Sequence, residues 1–372
     1  MGFSFIKVQT FSIILRDLCY FCGQHVYNSL FNCHVHAIFA QNILAMKTFI
    51  SITLAFAILA SSCAGTAPKK KFELTGDGTG ATVYFTKDIS PEGLVRIYEA
   101  RGVEAKGRVA VKISTGESEK SNHLRPELIK DMVQKVNGTI VECNTAYNGS
   151  RGTTEKHMKV IAERGYDKIA EVDIMDAEGV IEIPVKDTKW IKYDIVGSHL
   201  ERYDFLIDLA HFKGHTMGGF GGVLKNSSIG IASAAGKSYI HKAGKSMRGI
   251  LNFNQDSFLE SMAAAAQAVH EYFKQEGKDI IYINVMNNMS VDCDCVGSPS
   301  APVLKDIGIL ASTDPVALDK ACLDLVFSHT AADGDDPKKL IKRIESRHGT
   351  HTVDYAEKIG LGTRHYRIVN ID

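Results

Sequence analysis

RVAVKISTGESEKSNHLRPELIKDMVQKVNGTIVECN, residues 108–144, reads as one β-α-β unit. RVAVKIS at 108–114 and TIVECN at 139–144 are β-branched runs suited to buried strands. Between them Arg125-Pro126-Glu127 opens a stretch with Leu128, Ile129, Met132, Val133 and Val136 at helical spacing. Strands joined through a helix run parallel, so this unit sets the expected class.

The alternation extends in both directions. Upstream, VYFT precedes Ser90-Pro91-Glu92, a cap and first turn of a helix running to about Arg101. Downstream, Thr153 to Gly165 reads as a helix, and EVDIMD, VIEIPV, WIKYDIV and DFLIDLA follow as strands with no helix between them. Then come a glycine-rich stretch, an alanine-rich helix from about Gln255 to Phe273, and the strand DIIYINVM. DIGILAS is a strand, Asp314-Pro315 starts a helix to about Phe327, helices follow near 338–346 and 353–359, and HYRIVNI closes as a strand. The expected fold is α/β, a mixed and largely parallel sheet with helices on both faces, read as one body, with two lobes meeting near residue 200 as the alternative.

At 372 residues with 45% hydrophobic and 23% charged side chains, the chain can bury a substantial core. Its 43 basic residues balance 43 acidic ones, so no global field would draw in nucleic acid. MKTFISITLAFAILASSCAG, beginning at Met46, has one lysine, an apolar run from Phe49 to Ala60, and small residues before Cys63. That layout predicts an export signal over 46–62, too short for a comfortable membrane span, with Cys63 lipidated as the new N-terminus. Residues 63–80 then form a flexible tether and 81–372 the folded domain. Residues 1–45 read as a mis-assigned upstream extension; alternatively Cys19, Cys22, Cys33, His34 and His36 within it make a zinc knuckle. No twin-arginine pair is present in the signal, so any cofactor would be acquired outside the cytoplasm. The expected place is the bacterial cell envelope, lipid-anchored and facing the periplasm or cell surface.

Three stretches could carry chemistry. DLAHFKGHTMGGFGGVLKN, residues 208–226, runs from an apolar strand into glycines, and such loops at strand ends bind ligands in open α/β sheets. Gly219, Gly221 and Gly222 would let backbone amides approach an anion, with Lys213 and Lys225 supplying charge; the bland alternative is a tight turn. In NNMSVDCDCVGSPSAP, residues 287–302, Cys293 and Cys295 could present two thiolates to one metal, with Asp292 and Asp294 adding oxygen, or remain simple thiols. A disulfide between positions two apart is awkward. His211 and His215 are further ligand or acid-base candidates, and Arg151 a carboxylate clamp. Asp314 reads as a helix cap and Cys322 as core. GKSYIHKAGKS mimics a phosphate loop, but Ile231 and Tyr239 stand where that loop needs glycine, which excludes an ATPase of that kind.

HFKGHTMGGFGGVLKN, the CDCVG pair and DIGILASTDPVALDKACLDL together resemble the domain-of-unknown-function 362 family, described as iron-sulfur centre proteins, over about residues 80–372. The resemblance implies a metal ion or iron-sulfur cluster, although the ferredoxin-type C-x2-C-x2-C run of many members is missing here. His215, Phe220, Gly222 and Lys225, with His241 downstream, are also similar to a segment of nickel-pincer lactate racemases; that similarity would make Lys225 the cofactor-bearing lysine and His241 a metal ligand. The combined expectation is a centre at Cys293 and Cys295, assisted by His211 and His241, with Lys225 and His215 catalytic and Arg151, Lys213, Gly219, Gly221 and Gly222 holding a small anionic ligand. A non-catalytic ligand-capture lipoprotein and a racemase-like isomerase are the alternatives.

Overall fold

A computed structural model describes residues 76–251, 254–275, 277–329 and 335–372. The expected signal, Cys63 and the cysteines of residues 1–45 lie outside the described residues. Helices begin where the sequence supplies caps. In α1 (Pro91–Ala100) Ser90 Oγ accepts from Gly93 N at 3.0 Å, and α2 (Pro126–Lys135) opens on its proline. In α3 (Thr154–Arg164) Thr153 is the cap, and Gly165 ends the helix at φ 77°, a left-handed conformation that favours glycine. Further on lie α4 (Ala234–His241), α5 (Gln255–Tyr272), α6 (Pro315–Ser328), α7 (Pro337–Ser346) and α8 (Thr350–Lys358). Asp314 caps α6 as expected, accepting from Val316 and Ala317 N, each at 2.9 Å.

The strands are β1 (Ala81–Thr86), β2 (Val109–Lys112), β3 (Thr139–Glu142), β4 (Val172–Ile174), β5 (Val180–Pro184), β6 (Tyr193–Gly197), β7 (Phe205–His211), β8 (Lys213–His215), β9 (Gly219–Gly221), β10 (Asp279–Met286), β11 (Gly308–Ser312) and β12 (Tyr366–Asn370). Eight of them form one sheet in the order β12-β1-β11-β10-β7-β2-β3-β4. All pairings are parallel except those of β11, which runs against both β1 and β10. β5 and β6 form a separate antiparallel pair, and β8 and β9 a short hairpin.

Alternation along the central strands makes two cores. Phe205, Ile207 and Leu209 of β7 and Ile281, Ile283 and Val285 of β10 pack with α1, α2 and α3. Leu206 and Ala210, with Ile280 and Tyr282, face the other way against α5 and α6. Helices therefore cover both faces of the sheet. The lobe boundary expected near residue 200 is not found, since 200 falls just before β7, a central strand of the one sheet, and the described residues belong to one compact unit. Asp77, within the stretch expected as tether, is already joined to the fold: its N donates to Tyr366 O, and Tyr366 N donates to Asp77 Oδ1, both at 3.1 Å. No described helix is long and apolar enough to cross a membrane.

Candidate functional site

From β2 the chain steps outward to β3 and β4, then returns to the other side of β2 as β7 and continues away to β10. The carboxyl ends of β2 and β7 thus flank a topological switch point, where open α/β sheets form a crevice. Lys112 and Asp208 are register partners there. Both are buried, and each is matched: Lys112 Nζ donates to Glu142 Oε2 at 2.8 Å and to Asn226 Oδ1 at 3.3 Å. Asn226 Nδ2 donates to Asp208 Oδ1 at 2.6 Å and to Lys112 O at 3.1 Å, and Ser227 Oγ donates to Asp208 Oδ2. Burial nevertheless pushes the Asp208 carboxyl up to about 7.

A short helical segment, residues 223–230, starts over this switch point and carries Lys225 and Asn226. Its first amides are satisfied from α6: Val223 N and Leu224 N donate to the two carboxylate oxygens of Asp319 at 3.0 Å, while Asn284 Nδ2 of β10 donates to Asp319 Oδ1 at 2.7 Å. Gly222 is required by this contact, because a Cβ there would lie 2.2 Å from Asp319 Oδ1.

The loop after β10 brings the cysteines. Asp294 is its anchor, with Lys213 Nζ at 2.7 Å from Oδ2 and His211 Nδ1 at 3.0 Å from Oδ1. Burial alone would raise the Asp294 carboxyl, but Lys213 and His211 hold it well below the carboxylate range. The neighbouring Cys293 and Cys295 sulfurs meet at 3.0 Å, with Cys293 buried and Cys295 half-buried. His215 completes the group. Its Nδ1 accepts from Met217 N at 3.2 Å and Gly218 N at 2.9 Å, which places the neutral ring's proton on Nε2, and a ring nitrogen lies within 4.8 Å of the Cys295 sulfur. The Cys293 thiol donating to it, with Lys225 and His215 beside it, holds Cys295 well below the usual thiol range despite burial. The same hydrogen bond to Cys295, together with burial, pushes Cys293 up.

A cavity of about 260 Å³ opens onto these groups. Cys293, Cys295, His215, Lys225, His241 and Arg151 line it, as do Lys112, Glu142, Cys143, Tyr147, Asn226 and Lys237. Arg151 is tied to Glu117 Oε2 at 3.3 Å and Glu142 Oε1 at 3.4 Å, and Lys237 Nζ donates to Ala232 O at 2.5 Å. Lys225 Nζ makes no hydrogen bond or ion pair at contact distance among the described residues. Burial lowers its ammonium, but Cys295, Cys293 and Asp294 outweigh that and raise it. His241 stacks on Phe258 with ring centroids 4.5 Å apart, and burial pushes it down to about 4.

Lys225, His215, Cys293, Cys295, His241 and Arg151 are therefore brought to one cavity. His211 and Lys213 are not: both ring nitrogens of His211 are engaged, Nε2 lying 2.6 Å from Asn287 O, and Lys213 is consumed by Asp294. Gly219, Gly221 and Gly222 do not line the cavity either. Gly219, at φ 83°, packs close to Gly349 and Gly222 against Asp319, so these two serve close backbone approach, while Gly221 makes only ordinary contacts. Lys112, Glu142, Tyr147 and Asn226 were not singled out in the sequence. Lys112 and Glu142 had a signal, a charge ending an otherwise apolar strand in VAVK and TIVE.

The donor atoms of His215, Cys293 and Cys295 lie within 4.8 Å of one another, a group that could hold a metal ion. Two thiolates fit a soft ion, with His215 supporting the sulfur as an N–H donor; ligation through Nε2 would cost both amide bonds to Nδ1. A cluster held by four thiolates does not fit the described residues. Cys322 is fully buried in α6 beside Asn284, and Cys143 donates to Ile231 O at 3.2 Å. Lys225 and His241 do share the cavity wall, but only His215 joins His241 there among the described histidines.

No curated protein matches this chain. Solved structures with distant similarity include the following two. A Thermotoga maritima protein is 12% identical over 73% of this chain at a TM-score of 0.38, and this chain spans 59% of its length. The lactate racemase apoprotein from Thermoanaerobacterium thermosaccharolyticum is 12% identical over 78% of this chain and 83% of its own, with a TM-score of 0.37. Residues 109–324, more than half of the chain and the span that holds every cavity residue named above, match the family described as domain of unknown function (DUF362), and the chain belongs to that family.

Proposed function

We propose that this chain is an enzyme acting on a small carboxylate- or phosphate-bearing molecule, with the Cys295 thiolate as its reactive group. The observation that carries this reading is Lys225, a cavity cation without a contact partner among the described residues, placed beside the paired sulfurs. Lys112, Arg151 and Lys237 already answer Glu142, Glu117 and a backbone carbonyl, so Lys225 is the charge left for an incoming anion. Tyr147, held at 2.9 Å from Glu117 and 3.2 Å from Arg151, gives the same wall a hydroxyl for orientation.

Replacing Lys225 by Met keeps the stem and removes the charge. Losing one charge-assisted hydrogen bond, about 1.5–3 kcal/mol, should weaken anion binding by roughly 10- to 100-fold. Thermal shift over a panel of small carboxylates and phosphates measures it. Equal stabilisation of wild type and Lys225→Met by the same anion would refute the role of Lys225. Anion binding that survives with no turnover of any panel member would favour ligand capture.

The clustered donors favour a second reading, in which Cys293 and Cys295 hold a soft metal ion at the cavity wall. Metal in purified protein that disappears in Cys293→Ser would support it. We also propose that the domain works at the cell envelope, anchored through a lipid on Cys63; intact mass of the native protein tests this, and an unmodified chain retaining residues 46–62 would oppose it.

A further inference from the structure

We propose that Cys293 and Cys295 are a two-electron thiol pair that reduces small anionic disulfides, with Cys295 as the attacking sulfur and Cys293 as the resolving one. This rests on the anion-site reading and names the substrate class for it. The two sulfurs are free and already in contact at 3.0 Å, so a bond of about 2.05 Å needs them to approach by only about 1 Å. The difficulty of joining cysteines two apart is thus largely met by the loop itself. Asp294 between them is fixed by Lys213 and His211, and Glu117 N donates to its carbonyl at 2.7 Å, which holds the turn in shape.

The pair is asymmetric in access. Cys293 is 3% exposed, whereas Cys295 is half-buried on the cavity wall, and in thiol exchange the accessible sulfur attacks first. The surroundings of Cys295 suit an attacking sulfur, because a ring nitrogen of His215 lies within 4.8 Å of it and Lys225, on the same cavity wall, stands where a carboxylate on the substrate would bind. The first step forms a bond from the Cys295 thiolate to the near sulfur of R–S–S–R; the substrate's S–S bond breaks, and its electron pair leaves with one thiolate, which takes a proton from solvent. In the second step Cys293 gives up its proton and attacks the Cys295 sulfur, expelling the second thiolate, which accepts a proton. Two substrate thiols and one internal disulfide result. A dithiol reductant returns two electrons and two protons by the reverse exchange.

The test uses the reduced full chain, mixed without oxygen with dithiodiglycolate, a dianionic disulfide, or cystamine, a dicationic one. Intact mass and thiol release are read, and peptide mapping locates the sulfurs joined. Wild type should lose two hydrogens, release two thiols per chain, link Cys293 to Cys295, and react at least about tenfold faster with the dianion. Cys293→Ser should stop at a mixed disulfide on Cys295, and Cys295→Ser should form neither. A wild-type chain that ends as a stable mixed disulfide, or that maps the bond elsewhere, overturns the proposal without relying on either variant folding. Adipate, a dicarboxylate without sulfur, separates the two readings. If it raises the melting temperature while no disulfide is reduced, the thiol-pair proposal fails and the anion site stands. If it does not stabilise and no disulfide is reduced, both fail.

Discussion

Gly222→Ala should destabilise the protein by about 3 kcal/mol, while Gly221→Ala, one residue earlier, should change little. At 222 the added Cβ would lie 2.2 Å from Asp319 Oδ1, 2.8 Å from Cγ and 3.0 Å from Oδ2. Ordinary contact begins near 3.4–3.5 Å, so the carboxylate must retreat by about 1 Å. It is a short side chain held by three donors, Val223 N, Leu224 N and Asn284 Nδ2, at 2.7–3.0 Å. Losing three such bonds at about 1 kcal/mol each gives the estimate, which for a chain of this size lowers Tm by roughly 6–12 °C. At Gly221 the nearest atoms would be Lys213 Cε at 3.7 Å and Lys225 Cδ at 3.9 Å, ordinary contacts, and the change should stay within about 0.5 kcal/mol. Urea unfolding of both variants beside wild type measures this. A Gly222→Ala midpoint within about 1 kcal/mol of wild type, or equal damage at 221, would refute the close-approach account. An anion-cradling loop predicts the opposite pattern, with anion affinity lost in both variants and stability kept.

Two further predictions concern buried charge. Asp194 is fully buried without a side-chain donor, and burial pushes its carboxyl from the ordinary 3.8 to about 7. The folded state then holds more protons than the unfolded one between those values, so stability falls as pH rises through about 4 to 7 and levels off above; burial puts Asp208, at about 7, and Asp319, at about 6, on the same side. Buried histidines such as His241 and His270, pushed from the ordinary 6.5 down to about 4, act in the opposite direction over much of the same range, so the measurement is the difference between wild type and Asp194→Asn: wild type should lose melting temperature relative to the variant on going from pH 5 to pH 8, and a difference that does not change with pH would show that Asp194 is ionised in the fold. Asp294→Ala strands Lys213 and His211 in the interior and should cost about 3–5 kcal/mol. An unfolding midpoint near wild type would mean that the loop has another anchor.

Element identity was legible because it is local. The caps at Ser90, Thr153 and Asp314, and the alternation in DFLIDLA and DIIYINVM, state their structures within a few residues. Direction and neighbourhood are not local. DIGILAS packs as a buried strand whichever way it runs, and nothing in its composition records that β11 alone is reversed. The run between 172 and 211 reads as successive strands without helices, and their assignment to sheets is not local either. Those strands do not form one sheet: β4 edges the main sheet, β5 and β6 pair only with each other, and β7 returns to the centre.

The site divides in the same way. Cys293 and Cys295 needed no partner information, since two thiols in a loop after a buried strand are a chemical signal by themselves. His211, Lys213 and His215 also stood out, but their roles are set by residues about 80 positions away. Taken at alternate positions, all three meet one loop: His211 and Lys213 meet Asp294, and His215 meets Cys295. The loop answers with the same alternation, offering a carboxylate at 294 between sulfurs at 293 and 295. Two of the three bases are therefore spent on holding the loop, and only His215 reaches the sulfur. Had Asp294 been an alanine, His211 as a metal ligand and Lys213 as the charge holding an anion would have had no buried carboxylate competing for them. The structural content of CDC thus lies as much in its middle residue as in its two thiols.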